Sequence, residues 1–295
     1  MASARLLAAV CAPGGASIKS VFQEVSLVSR HDFSRARKAV KQEALAPEGD
    51  AIRTCQALFE THSRKSRIAE RAVTMRTSAL FSGLSRDECL EIASCASARS
   101  FERNDALFTQ GQPARHLMMI QTGSVKLSQL SPNGNEAILW MIGPGDPLGV
   151  VIEALSQSYT CTACAMAPAR ALVWEYSRFQ GLFAEIPQMR KNISQILSNR
   201  LEELQERFRE VATEKVAPRV AKALMRLVKQ VGKPAWGGIE ISLSREELAQ
   251  MTGTTLFTTS RLLAKWGEEG FVLPRREAVV VLDPQRLAQV SSAAG

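Results

Sequence analysis

The chain has 295 residues and a formal net charge of +8, with 45% hydrophobic and 22% charged side chains. That composition supplies hydrophobic cores for about two domains and excludes wholesale disorder. No apolar run approaches the ~18–20 residues of a membrane span, which excludes a transmembrane helix. His31, His62 and His116 are the only histidines, so a histidine-built metal site is excluded too. The six cysteines, in a chain long enough to build its own core, read as reduced thiols of a cytoplasmic protein.

Residues 1–74 show no sustained periodicity and carry loop signals at Pro13-Gly14-Gly15 and around Pro47. They read as an N-terminal extension, disordered or partly helical, with short basic helices expected over about 33–45 and 55–72. The opening MASARLLAAVCA has the faint outline of a signal peptide. The rest of the chain reads as cytoplasmic, and Met75 is an alternative natural start.

From Leu80 the texture changes. Ser85 ahead of Arg86-Asp87-Glu88 is a helix-start signal. Short apolar segments follow at Ala106–Phe108, Leu117–Ile120, Val125–Leu130, Ala137–Ile142 and Ala171–Trp174, with Gly or Pro in the turns between. This spacing predicts a small antiparallel sandwich or roll. Pro132-Asn133-Gly134 marks a hairpin.

Pro187 suits the first turn of a helix that continues without Gly or Pro to about Thr213, roughly 39 Å at 1.5 Å per residue. Leu197, Leu201, Leu204, Phe208 and Val211 are spaced 4, 3, 4, 3, with Met189, Ile193 and Ile196 leading in. Such a seam predicts a coiled-coil contact with a second copy of the chain, through Ile193, Leu197, Leu201, Leu204, Phe208 and Val211. Packing on the preceding roll is the other use of an apolar seam, and a long helix has faces for both. Pro218 opens the next helix.

Residues 214–295 hold twelve basic and eight acidic side chains, which fits an anionic partner and equally a solvated basic face. Glu240–Leu243 is strand-like. Ser244-Arg-Glu-Glu247 fits a capping box, Thr252-Gly253-Thr254 a tight turn, and Thr255 the cap of a second helix to about Gly267. This is a helix-turn-helix pattern. On the second helix Thr259, Leu262, Leu263 and Trp266 share the packing face. Phe257, Thr258, Arg261 and Lys265 share the opposite one. Arg261 suits guanine O6 and N7, Phe257 and Thr258 suit bases or a thymine methyl, and Lys265 suits phosphate. A solvated face for Arg261 and Lys265, and a packing role for Phe257, are the plainer alternatives. Phe271–Leu273 and Val279–Leu282 flank a basic tip, Arg275-Arg276, where a wing would touch phosphate.

The glycine-punctuated roll (Gly111, Gly123, Gly134, Gly145, Gly149), the long helix and the Ser244–Leu263 motif, in that order, resemble the Crp/Fnr superfamily of bacterial transcription regulators over about residues 77–288. The resemblance implies an α+β protein. Its parts are a cyclic-nucleotide-binding-like β-roll (a double-stranded β-helix, or jelly roll) over 75–186, a dimerisation helix over 187–213 and a C-terminal winged helix-turn-helix over 214–295. It implies double-stranded DNA as partner, contacted by Ser244, Thr254, Thr255, Phe257, Thr258, Arg261, Lys265, Arg275 and Arg276. It also implies a second copy of the chain, and RNA polymerase if the protein activates.

The chain departs from the cyclic-nucleotide binders of that family. Their Gly-Glu pair reads Gly149-Val150, their Arg-Ser pair falls near Tyr159-Thr160, and their adenine-contacting Thr-Ser falls on Leu204-Gln205. Without the cation a cyclic phosphate loses a charge-assisted hydrogen bond, so cyclic AMP is an unfavourable ligand and no cofactor is expected. A more apolar effector pocket is expected instead, at Leu148, Gly149, Val150, Tyr159, Thr160 and Leu204. Cys161 and Cys164 point to opposite faces of a strand ~10 Å apart and make a poor chelate, and the N-terminal cysteine cluster of the iron–sulfur members is missing. The family's glutamate near the start of the recognition helix is replaced by Phe257, while its arginine one turn later is kept as Arg261. A TGA-like half-site with an altered neighbouring position follows. No Walker loop, nucleophile elbow or zinc motif supports an enzyme. The rival readings are a constitutive DNA-binding protein with a filled roll and a non-DNA interaction module.

Overall fold

A computed structural model describes residues 48–149 and 158–292. The chain divides into two units, Met1–Lys65 and Ser66–Gly295. The helix expected over 33–45 lies outside the described residues, and the one expected over 55–72 belongs to a longer helix, α1 (Glu48–Met75). In the second unit, Ile68, Ala72 and Met75 of α1 recur at helical spacing and enter a core with Leu80 and Phe81.

After a 3-10 turn at Ala79–Phe81 comes α2 (Arg86–Ser94). Its capping box is complete: Ser85 Oγ accepts the Glu88 N–H at 3.2 Å, and Glu88 Oε2 accepts the Ser85 N–H at 2.7 Å. The Ser85 hydroxyl, which donates to Glu88 Oε2 at 2.7 Å, and then the Ser85 N–H hold the Glu88 carboxyl below its ordinary value.

The roll follows as β1 (Ser97–Phe101), β2 (Ala106–Phe108), β3 (His116–Thr122), β4 (Val125–Leu130), β5 (Glu136–Ile142), β6 (Pro147–Leu148), β7 (Thr162–Ala165) and β8 (Ala169–Glu175). Two antiparallel sheets, ordered β1-β8-β3-β6 and β2-β7-β4-β5, face each other. The unbroken apolar run in β3 has a physical reason. Met118 and Ile120 join the core between the sheets, while Leu117 and Met119 join the layer of helices on the other side. A strand covered on both faces loses its alternation. Gly134, at a φ of 80°, makes the β4–β5 hairpin turn, closed by Ser131 N–H to Asn135 O at 2.9 Å. Gly123 is required: a Cβ there would lie 2.6 Å from Pro168 O.

Next come α3 (Tyr176–Glu185) and α4 (Pro187–Thr213), with Pro187 in the first turn of α4. Asn192, buried on α4, donates to Leu80 O and Ser82 O at 2.9 and 2.8 Å, so the first half of this helix is fastened to the 3-10 turn that precedes the roll. The C-terminal part is α5 (Val216–Gln230), β9 (Lys233–Ala235), β10 (Gly238–Ile241), α6 (Arg245–Thr252), α7 (Leu256–Glu268), β11 (Val272–Pro274), β12 (Val279–Val281) and α8 (Pro284–Ser292). Its sheet runs β11-β12-β10-β9. The strand expected at Glu240–Leu243 starts and ends two residues earlier, at Gly238 and Ile241, and Leu243 still donates to Glu277 O in register with the β10–β12 pairing. Met141 and Met166 of the roll enter the core of this C-terminal part. A Cβ on Gly143 would lie 2.5 Å from Gln230 O. The roll and the C-terminal part are therefore in direct packing contact.

Candidate nucleic-acid interface

Helices α6 and α7 are built by local signals. Ser244 Oγ accepts the Glu247 N–H at 3.2 Å and Glu247 Oε2 accepts the Ser244 N–H at 2.8 Å. Gly253, at φ 59°, takes the left-handed conformation that ends α6. Thr255 caps α7, accepting the Thr258 N–H at 3.2 Å. The two faces of α7 then separate. Thr259, Leu263 and Trp266 are buried, and Trp266 meets Phe271 with ring centroids 5.8 Å apart. Leu256, Phe257, Arg261 and Lys265 face outward, Phe257 at 75% exposure. Lys265 Nζ lies 3.8 Å from Glu269.

Beside α7 lies an open groove of about 500 Å³, lined by Ser244, Arg245, Glu246, Leu256, Pro274, Arg275 and Arg276. It joins the start of α6 to the wing formed by β11 and β12. Arg276 is exposed. Arg275 is half-engaged: its guanidinium donates to Glu240 Oε2 at 2.6 Å. Glu277, also at the wing tip, is ion-paired with Arg103 of the roll. Thr254 is half-buried and donates its N–H to Ala249 O, so it shapes the turn.

The second half of α4 presents Leu197, Leu201, Leu204, Phe208 and Val211 to solvent, Phe208 at 75% exposure. Ile193 departs from the expected seam. It packs with Phe183 and Ile196 against the Leu80–Met189 core, because the opening turns of α4 lie on the roll. At the far end, Arg226 makes two bonds to the buried Glu210 carboxylate, at 2.7 and 3.0 Å. Arg219 donates to Val211 O, Glu214 O and Gly253 O at 3.3–3.4 Å. One guanidinium therefore links the end of α4 to the helix-turn-helix turn.

The expected effector residues come together in part: Leu148 and Tyr159 share the roll core, and Gly149 and Tyr159 meet at His116 O. Leu148 is buried in the roll core, Thr160 is exposed, Leu204 points to solvent, and Val150 lies outside the described residues. Gly149 packs closely, and a Cβ there would lie 2.7 Å from His116 O. Tyr159 stacks on Phe108 at 3.9 Å and bonds through its hydroxyl to His116 O at 3.0 Å and from His116 N–H at 3.2 Å. The lining is also less apolar than expected on the helix side. Arg200 of α4 donates to Pro147 O at 2.9 Å and stands near Asp146 and Cys161. Burial lowers the Arg200 pKa, raises that of Asp146 and pushes the Cys161 thiol up to about 11.

A family model described as a cyclic nucleotide-binding domain matches residues 98–185, and one described as a Crp-like helix-turn-helix domain matches residues 218–290. Together they span the roll and the C-terminal part in the order just described. The chain belongs to the Crp/Fnr superfamily. Among its Crp/Fnr relatives, a "CRP-like cAMP-activated global transcriptional regulator" of Mycobacterium tuberculosis is 27% identical over 191 residues, covering 64% of this chain and 85% of that protein. The "Cyclic AMP receptor protein" of Thermus thermophilus is 28% identical over 198 residues, covering 67% and 89%. The fold is shared with FixK2 from Bradyrhizobium japonicum, at TM-score 0.59 and 21% identity over 68% of this chain and 99% of that one.

In this Crp/Fnr chain the readings from periodicity and the structure meet at α7, where capping and face separation are local. Sequence reading missed Arg200, Arg219 and Lys126, because their roles depend on which distant element packs above them. Signals for β1, β9, α3 and α8 were also too short or too mixed to read.

Proposed function

We propose that this Crp/Fnr-type transcription regulator acts as a homodimer that reads a two-fold-symmetric operator with α7. In this reading residues 75–186 form the sensor roll, 187–213 the dimerisation helix and 214–295 the DNA-binding part. The observation that carries it is the division of α7 into a buried Thr259/Leu263/Trp266 face and an outward Phe257/Arg261/Lys265 face. Arg261 presents paired N–H donors to guanine. Arg276, with Arg245 and the start of α6, suits the phosphates alongside, and Arg275 joins them by exchanging Glu240 for phosphate. Ser244, Thr254 and Thr255 act through the geometry of the caps and the turn. Two α7 helices then enter successive major grooves about 34 Å apart. The exposed seam of α4 supplies the pairing surface.

The roll of this protein does not take cyclic AMP in our reading. The Mycobacterium relative is named as cAMP-activated, but Val150 and the Tyr159-Thr160 stretch lack the carboxylate and guanidinium that the ligand uses in the family. An effector in the roll, acting on α4, shifts a two-state equilibrium in the spacing of the DNA-binding parts. One observation favours a constitutive binder instead: Leu148, Tyr159 and Cys161 fill the roll interior with their own side chains. Footprinting with and without a metabolite mixture separates the two readings. The protein works in the cytoplasm, catalyses no reaction and meets RNA polymerase where it activates. The direct test is gel shift of wild type and Arg261→Ala on an operator enriched from random duplexes. Loss of the preference at one guanine per half-site supports the reading, and an unchanged preference removes Arg261 from base readout.

A further inference from the structure

From Leu256 to Gly267 the outward face of α7 carries no carboxylate, and the first is Glu268 at its C-terminal end. Between Thr254 and Gly267 the sequence holds neither Asp nor Glu. Beyond the cap residue Thr255, the side chains standing clear of the protein up to that point are Leu256, Phe257, Arg261, Ala264 and Lys265. The hydroxyls of Thr255 and Thr258 are turned on each other at 2.9 Å. Leu256 lies in the groove with Arg275 and Arg276, on the wing side of the helix. Phe257 precedes Arg261 by four residues, so the two share one stripe of the helix about 6 Å apart along its axis.

Packing does not account for Phe257. The inner face is filled by Thr259, Leu263 and Trp266, and the ring is 75% exposed. A major groove offers one apolar group, the thymine C5-methyl. Cytosine and adenine present amino groups there that require an acceptor, and guanine presents acceptors that require a donor. A phenyl ring supplies neither. It gains by covering a methyl and loses by desolvating the polar edges of the other bases.

We propose that Phe257 is a specificity-determining residue that selects a thymine through its C5-methyl, within two base pairs of the guanine taken by Arg261. The inference rests on the DNA-binding reading above and adds the base chosen by the ring. It makes the half-site of this protein a guanine coupled to a thymine, with cytosine disfavoured where a carboxylate would have welcomed it.

The test uses the full chain. Duplexes are enriched from a random-sequence pool by gel shift, and each thymine of the enriched site is then replaced in turn by deoxyuridine, which lacks only the methyl. At one thymine per half-site, wild-type affinity falls about three- to fivefold per methyl removed, while Phe257→Ala binds the thymine and uracil duplexes equally. Phe257→Glu places an acceptor at that point and moves the enriched base from thymine to cytosine. Both variants alter an exposed side chain and keep the wild-type circular dichroism spectrum. Enriched half-sites whose guanine preference depends on Arg261, but that hold no thymine sensitive to uracil, overturn the role of Phe257 and leave the DNA-binding reading standing. Failure to enrich any duplex at low salt removes that reading, and this inference with it.

Discussion

Lys126 Nζ lies 3.3 Å from Glu247 Oε1 and 3.5 Å from Glu136 Oε1. Lys126 belongs to the roll and Glu247 closes the capping box of α6, so one ammonium joins the roll to the first residues of the helix-turn-helix. The side chains of Lys126 and Glu247 are mostly buried. Burial works against the Lys126 charge, but Glu247 and Glu136 together outweigh it and raise its pKa. A raised lysine pKa contributes stability that is present below the unfolded value and is lost as pH rises through the folded one.

Removing that ammonium leaves the mostly buried Glu247 carboxylate without its cation. Lys126→Ala is expected to destabilise by about 2 kcal/mol, with Glu247→Gln in the same background restoring part of the loss. Urea unfolding of the two singles and the double gives the coupling directly. Additive losses would show that the pair is not coupled.

Cys161 gives a second pH dependence with the same sign. Its buried thiol has a pKa of about 11, well above that of a free cysteine. The unfolded chain therefore loses this proton first, and stability falls as pH rises from about 9 toward 11. Cys161→Ala is expected to flatten that fall, seen as a smaller drop in Tm between pH 8.5 and 10. In the native protein at pH 8, iodoacetamide should modify Cys161 far more slowly than it does in urea. Equal rates would contradict the buried placement.

The exposed seam of α4 yields a third prediction. Leu201→Glu with Phe208→Glu puts like charges across the expected pairing surface and should give a monomer by sedimentation equilibrium. Both residues are exposed in the single chain, so the fold of each protomer should survive. Operator affinity should fall at least 100-fold in the same variant, because each half-site then binds alone.

The turn between α6 and α7 gives a fourth. Gly253 sits at φ 59° and its carbonyl accepts from Arg219. Gly253→Ala should cost about 1 kcal/mol from the left-handed backbone alone. Arg219→Ala should cost about 2 kcal/mol, because the partly buried carbonyls of Val211, Glu214 and Gly253 all lose one donor. Thermal unfolding checks both, and the larger loss should belong to Arg219→Ala.

Helix α4 was legible from Pro187 to Thr213 because its start is marked by proline, no Gly or Pro interrupts it and its seam is periodic. The capping boxes at Ser85 and Ser244 were legible because four neighbouring residues suffice to make them. Three features were not. Ile193 fits the seam by spacing, but Asn192 beside it fastens that turn of α4 to the 3-10 turn at Leu80. Arg275 reads as a free wing-tip cation, yet Glu240, thirty-five residues away, takes its guanidinium. Arg200 falls among charged residues that look solvated, and only the approach of Pro147 and Cys161 makes it part of the interior. Such contacts depend on packing between distant segments, which periodicity does not encode.

A paired reader of duplex DNA occupies its site as two chains. The most direct measurement is the stoichiometry of the full chain on an enriched palindromic duplex, by sedimentation equilibrium at low and moderate salt. Two chains per duplex are expected, with affinity falling steeply as salt rises. A single chain per duplex, or binding indifferent to salt, would contradict this expectation.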